Sequence, residues 1–277
     1  PFVLDSAAPS IEVSVPYTVF SPDGDGIRDD VPVTVKASSE DKWTGTVYNS
    51  KNQIVKTYNW TGSVPSFAWD GTDDSGNKVE DGNYRIVFAS VDAAGNKANA
   101  TISGLKVDKR ETKAYVTAEL EAFSPNGDSY LDVQTFSVRT TLAEGISNWK
   151  FEIVSADGKT VRSWSEADSK DLPAVIKWDG NDSDGKVAEG MFFGKLSVSY
   201  EKGNVVNSSS SAFICTVVPP KLSVKKQPAY FSPDNDGEDD ELYIQLKGNS
   251  LVPLKNWSFT VNDPENGKTY WSVGGKT

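Results

Sequence analysis

The chain has 277 residues, with 28 Lys and Arg against 39 Asp and Glu, a net charge of −11, no His and a single cysteine, Cys215. This balance argues against nucleic acid and anionic membranes as partners, because phosphate binding needs clustered cations. It also removes a His-based catalytic triad, His-ligated zinc and any intrachain disulfide.

Three segments of the chain are copies of one another. They read VFSPDGDGIRDDVPV from Val19 to Val33, AFSPNGDSYLDVQTF from Ala122 to Phe136, and YFSPDNDGEDDELYI from Tyr230 to Ile244. A period of roughly one hundred residues is the size of a small β domain, so the chain reads as a row of similar domains. The expected division is residues 1–7 as the end of a preceding domain or an N-terminal extension, 8–108 and 109–218 as two full repeats, and 219–277 as a truncated third repeat. Linkers are expected at Leu4 to Val13, Val107 to Val116 and Val217 to Val224. Phe2 to Asp5 then occupy the place of a last strand. The chain opens on Pro1 without Met, so an export leader cut away is expected.

Within the first repeat, alternating runs of Val, Thr, Ile and Tyr predict about seven strands near 11–15, 31–37, 43–48, 53–60, 65–70, 83–91 and 98–107. No sustained helical period interrupts them, and no apolar stretch has the length of a membrane helix. Trp43, Trp149 and Trp257 open equivalent hairpins, which Trp60, Trp164 and Trp271 close. Asn49 to Asn52, Asp157-Gly158 and Asn266-Gly267 are the expected turns, the second with positive φ at both residues. A further shared block follows, from Trp69 to Phe88 and from Trp178 to Leu196; each begins Trp-Asp-Gly. The third copy does not reach it. The fold class predicted is all-β, with tandem immunoglobulin/fibronectin-III-like β-sandwich domains.

The acidic loops carry the only clustered chemistry. Asp23, Asp25 and Asp29 in the first copy correspond to Asn126, Asp128 and Asp132 in the second and to Asp234, Asp236 and Asp240 in the third. Oxygen side chains at n, n+2 and n+6 suit a hard cation such as Ca²⁺, with a backbone carbonyl at Ile27, Tyr130 or Glu238 as a further ligand. A polar turn explains the same residues, since Asp and Asn bond their own backbone and Gly permits positive φ. Both readings stay open here. The second copy is the weakest metal site, because Asn126 replaces an acid and Ser129 a glycine. With seven antiparallel strands, the first and last run the same way, so the acidic loop falls at the end where the chain leaves for the next domain. The acids of the later block (Asp70, Asp73, Asp74, Asp179, Asp182 and Asp184) are expected as hairpin turn residues, and Trp69 and Trp178 as core.

The run W-D-G-x-D-x-x-G then D-G-x-Y from Trp69 to Tyr84, followed by VDAAGN from Val91 to Asn96, resembles the immunoglobulin-like domain of the bacterial flagellar hook-capping protein. F-S-P-[DN]-x-D is similar to the opening of bacterial surface repeats, including C-terminal modules of secreted gliding-motility proteins. The resemblance implies an exported bacterial protein, periplasmic or at the cell surface. It implies as partners further domains of the same chain or other envelope proteins. Some envelope proteins join such repeats to a peptidoglycan-binding domain like the C-terminal part of outer-membrane protein A, which implies peptidoglycan reached through a domain outside these residues.

No catalytic residues are assigned: the lone Cys has no His beside it, and the acids sit in repeated turns rather than one cleft. The expected function is a non-catalytic structural spacer of the bacterial envelope, stiffened by Ca²⁺ at interdomain acidic loops. The alternative is an adhesive or ligand-binding surface module using exposed aromatics such as Tyr17, Trp60 or Trp164.

Overall fold

A computed structural model describes residues 7–276. The expected strand at Phe2 to Asp5 lies outside them. Every regular element described is a β-strand.

In the first repeat the strands are β1 (Ile11–Ser14), β2 (Val19–Phe20), β3 (Val31–Ala37), β4 (Glu40–Asn49), β5 (Ile54–Gly62), β6 (Phe67–Trp69), β7 (Gly82–Val91) and β8 (Lys97–Val107). They form two sheets, ordered β1-β3-β6 and β2-β8-β7-β4-β5. The period-two pattern dictates which face is buried. Val31, Val33 and Val35 of β3 point inward, while Pro32, Thr34 and Lys36 are exposed. Tyr84, Ile86 and Phe88 of β7 face them from the other sheet's side of the core. Trp43 and Trp69 are both fully buried in this core. Each such ring removes about 150–250 Å² from water, a gross gain of roughly 4–6 kcal/mol at ~25 cal/mol/Å².

The seven expected strands correspond to β1 and β3 to β8. The eighth, β2, is two residues long and escapes a periodicity reading. It pairs in parallel with β8, Val19 opposite Lys106 and Phe20 opposite Val107. The first strand segment therefore splits, β1 to one sheet and β2 to the other. This parallel pair fixes the polarity directly: the loop after Phe20 lies at the end where β8 leaves the sheet, and Asp108 N donates to Phe20 O at 3.0 Å.

The second repeat repeats this plan with β9 (Ala114–Ala118), β10 (Ala122–Phe123), β11 (Gln134–Thr140), β12 (Ile146–Ser155), β13 (Thr160–Ser165), β14 (Val175–Trp178), β15 (Gly190–Tyr200), β16 (Val205–Ser209) and β17 (Phe213–Cys215). The sheets are ordered β14-β11-β9 and β10-β17-β15-β12-β13, with β16 on β15. Again β10 and β17 are parallel. Gln134 takes the place of Val31 and is fully buried. Its carboxamide is satisfied: Leu120 N donates to Oε1 at 3.0 Å and Nε2 donates to Leu120 O at 2.7 Å. A buried polar group is tolerated when so paired.

The third repeat contributes β18 (Lys221–Gln227), β19 (Tyr243–Asn249), β20 (Trp257–Asn262) and β21 (Thr269–Gly275). Among the described residues they pair as β18 with β19 and β20 with β21.

The Asp157-Gly158 turn differs from expectation. Only Gly158 has positive φ, +88°, and Ser155 N donates to Lys159 O at 2.9 Å. The connection is thus a three-residue turn with a left-handed glycine, and the register shifts between Ile153 and Val154. The first hairpin uses the same geometry with Asn52 (φ +62°) in the glycine's place.

The chain divides into two compact units. One runs up to Lys113 and takes in Thr140–Trp149 and Val198–Val206; the other comprises Ala114–Arg139, Lys150–Ser197 and Asn207 onward. Among the described residues no helix is long and apolar enough to cross a membrane.

Candidate functional site

The three acidic loops share one backbone path. Positive φ alternates through each: Gly24, Gly26 and Arg28; Gly127, Ser129 and Leu131; Asn235, Gly237 and Asp239. The first slot takes Gly or Asn, which enter the left-handed region at low cost, and the second takes Gly in two loops and Ser129 in the other. Each loop closes with the Ser amide donating to a carbonyl seven residues on, Ser21 to Arg28, Ser124 to Leu131 and Ser232 to Asp239, at 2.8–2.9 Å.

The last acid of each loop holds this path from within. Gly24 N and Gly26 N donate to Asp29 Oδ1 and Oδ2 at 2.6 and 2.8 Å. Gly127 N and Ser129 N do the same to Asp132, and Asn235 N and Gly237 N to Asp240. The middle acid accepts from the amide two residues on: Ile27 to Asp25, Tyr130 to Asp128, Glu238 to Asp236. The Gly24 and Gly26 amides hold the Asp29 carboxyl below the usual carboxylate range. A donor row spent on its own acids is what a self-contained turn requires.

The same path also gathers oxygens. In the first loop carboxylate oxygens of Asp23, Asp25 and Asp29 lie within 4.8 Å of one another, and in the third those of Asp234, Asp236 and Asp240 do so. Ca²⁺ takes oxygens at about 2.3–2.6 Å, so ligands on opposite sides of an ion stand roughly 5 Å apart, and both sets fit. The second loop offers two carboxylates and a carboxamide, and Asn126 Nδ2 turns toward Asp128 Oδ2 at 3.4 Å. The first loop has a further feature. Asn204 Nδ2 donates to Asp25 Oδ2 at 2.7 Å, while Asn204 Oδ1 is buried without a partner. Within the same compact unit Arg28 donates to Glu201 O, and Arg28 also lies 4.5 Å above the Tyr17 ring.

The Trp-Asp-Gly blocks position these loops. Trp69 and Trp178 are core residues, meeting Phe20 and Phe123 edge-on at 5.4 and 5.5 Å. Their indole N–H groups donate to Thr72 O and Asn181 O at 3.0 and 2.7 Å. The following acids are turn residues: Asp70 accepts from Thr72 N, Asp73 from Ser75 N and Asn77 N, Asp74 from Thr57 N, Asp179 from Asn181 N, and Asp182 from Asp184 N and Lys186 N. Asp184 accepts none of the hydrogen bonds described.

The aromatics expected to be exposed are not free surface. Tyr17 is half-buried, with its hydroxyl donating to Asp30 O at 2.9 Å. Trp60 stacks on Tyr58 and Phe88 and fills the space that Gly45 leaves. Trp164 packs on Phe151. Their amphipathic bodies close the edges of the sandwiches, which sequence alternation alone does not reveal.

Residues 24–94 match the family model described as the FlgD Ig-like domain. No curated protein sequence matches the chain. Among solved structures, a tetra-tandem repeat in the extending region of a large adhesion protein is similar over 99% of this chain and 75% of its own, at 15% identity and TM-score 0.35. A 1.5-MDa bacterial ice-binding adhesin is similar over 80% of this chain and 70% of its own, at 14% identity and TM-score 0.35. The fibronectin(III)-like modules of Clostridium thermocellum CbhA are similar over 74% of this chain and 95% of their own, at 15% identity and TM-score 0.38. The family match lies within the first repeat, whose two-sheet sandwich is similar to the Ig-like domain of FlgD, and the second repeat has the same sheet plan.

Proposed function

We propose that this chain is a non-catalytic structural spacer of the bacterial cell envelope, exported to the periplasm or cell surface, whose acidic loops bind Ca²⁺. The observation that carries the reading is the parallel pairing of β2 with β8 and of β10 with β17. It sets the first two acidic loops beside the points where their sandwiches hand the chain on. A cation at either point ties the loop to the departing strand and stiffens the junction. The absence of His and the burial of Cys215 support a non-catalytic role. Its partners are further domains of the same chain or other envelope proteins. Peptidoglycan is reached through such a domain.

The test is calorimetric titration with Ca²⁺ after chelation, with the melting temperature followed in parallel. Saturable heat and a rise in melting temperature are expected. A site with Kd of ~0.1 mM in ~2 mM Ca²⁺ stabilises its domain by about 1.8 kcal/mol. No heat and no shift would reduce the loops to turns. Scattering profiles that superimpose with and without Ca²⁺ would remove the stiffening role even if the metal binds.

A further inference from the structure

The second acidic loop holds an Asn-Gly bond, Asn126-Gly127, at the slot where the other two loops carry Asp23 and Asp234. Asn is a thermolabile residue, and Asn-Gly is the pair in which the main chain most readily attacks the side-chain amide, because glycine puts no side chain beside its own nitrogen. Asn126 and Gly127 are both exposed, and a β-carbon on Gly127 would meet nothing within 4 Å, so the bond is open to water.

The loop surrounds this bond with the groups that such an attack needs. Gly127 N, the nucleophile, donates to Asp132 Oδ1 at 2.8 Å, so a carboxylate stands where the amide proton must go. Asp128 N donates to Asn126 Oδ1 at 3.0 Å, where negative charge develops as the side-chain carbonyl is attacked. Asn126 Nδ2, the leaving nitrogen, faces Asp128 Oδ2 at 3.4 Å. A second Asn-Gly bond, Asn266-Gly267, shares the oxygen contact, with Lys268 N donating to Asn266 Oδ1 at 2.9 Å. Its nucleophile has no such base, since Gly267 N donates to the main-chain carbonyl of Asp263 at 2.9 Å.

We propose that Asn126-Gly127 is a self-modification site, where Asn126 deamidates to an acid with Asp132 as the catalytic base. Gly127 N attacks Asn126 Cγ, and its proton passes to Asp132. The bond from Cγ to Nδ2 breaks, the proton goes to the leaving nitrogen, and ammonia departs from a cyclic imide. Water then opens the imide, at the side-chain carbonyl to aspartate or at the main-chain carbonyl to isoaspartate. Either product adds a carboxylate to the loop. An aspartate fits the path already present, because in the first loop Asp25 N donates to Asp23 Oδ1 at 3.2 Å as Asp128 N does to Asn126. Resting on the reading that these loops bind Ca²⁺, the conversion supplies the carboxylate that the second loop lacks.

The experiment incubates the 277-residue chain in neutral buffer and follows both Asn-Gly bonds by peptide mass mapping, which reads the exchange of the amide nitrogen for oxygen. In the native chain Asn126 should convert about tenfold faster than Asn266, a modest share of what a positioned base contributes. In urea, which takes Asp132 away from Gly127 N, the two rates should converge. Asp132→Asn should slow conversion at Asn126 by about tenfold and leave Asn266 unchanged. Three results would overturn the proposal. In one, native Asn126 converts no faster than Asn266. In another, its lead persists in urea. In the last, Asp132→Asn converts Asn126 as fast or faster, which makes the carboxylate a guard on the amide instead of its base. Calorimetry with Ca²⁺ tests the consequence separately: Asn126→Asp should bind Ca²⁺ at the second loop and Asn126→Gln should not. Equal binding by these two variants would remove the link to the metal, and no binding by either at any loop would refute the calcium reading, while the mass data alone decide the modification.

Discussion

Gly71 lies against the ring of Pro22: a β-carbon placed on Gly71 would stand 2.8 Å from Pro22 Cγ and 3.3 Å from the Phe20 ring. The relationship recurs in the second repeat, where a β-carbon on Gly180 would stand 2.5 Å from Pro125 Cγ. The glycine of Trp-Asp-Gly and the proline of Phe-Ser-Pro are thus two halves of one contact, about fifty residues apart in each repeat. Both glycines also have positive φ, +68° and +80°.

Gly71→Ala and Gly180→Ala should each destabilise their sandwich by about 2–4 kcal/mol, combining left-handed backbone strain with overpacking against the proline. Gly76→Ala is the control. It shares a positive φ of +82° but meets nothing within 4 Å, so it should cost only about 1 kcal/mol. Urea unfolding of the three variants checks this; equal effects at Gly71 and Gly76 would show that the proline contact contributes nothing.

Asp29 gives a prediction in pH. Its folded pKa is lowered, first by the Gly24 amide and then by the Gly26 amide. A carboxyl depressed on folding contributes stability that is present above its unfolded value, about 3.9, and is lost as pH falls through the lower folded value. The amide signals of Gly24 and Gly26 should therefore titrate together with a midpoint below that of an ordinary aspartate. A midpoint at or above the ordinary value would contradict the cradle. Because the loop is solvent-exposed, Asp29→Asn should change these signals far more than global stability.

Trp69→Phe and Trp178→Phe should cost about 2–4 kcal/mol each. The change removes buried ring volume and leaves Thr72 O or Asn181 O without its indole donor. Equilibrium denaturation measures it. A loss below about 1 kcal/mol would mean that the loop repacks freely.

Cys215 is fully buried, and burial, with Glu189 and Asp179 nearby, pushes its thiol up to about 12. A neutral, enclosed thiol is a poor nucleophile. In native buffer it should resist a thiol-reactive reagent at pH 8 and react stoichiometrically once denaturant unfolds the second repeat. Rapid labelling of the native chain would show that β17 opens locally.

The repetition and its alphabet are legible in the chain alone. The three Phe-Ser-Pro copies, the alternation of Val31, Val33 and Val35, and the Trp-Asp-Gly blocks specify β-sandwich modules, because a period of two fixes a buried face without knowledge of the partner strand. The turn role of Asp70, Asp73 and Asp182 was equally legible, since an Asx turn is made within a few residues. Tertiary structure alone decided the rest. Two residues are too few to show a period, so β2 and its parallel pairing with β8 emerge only when both strands are in place. The half-burial of Trp60 and Trp164 depends on which sheet edge closes over them. The meeting of Gly71 with Pro22, and of Asn204 with Asp25, joins residues distant in the chain. Such approaches are set by the packing of whole sheets, a long-range property that no local pattern encodes.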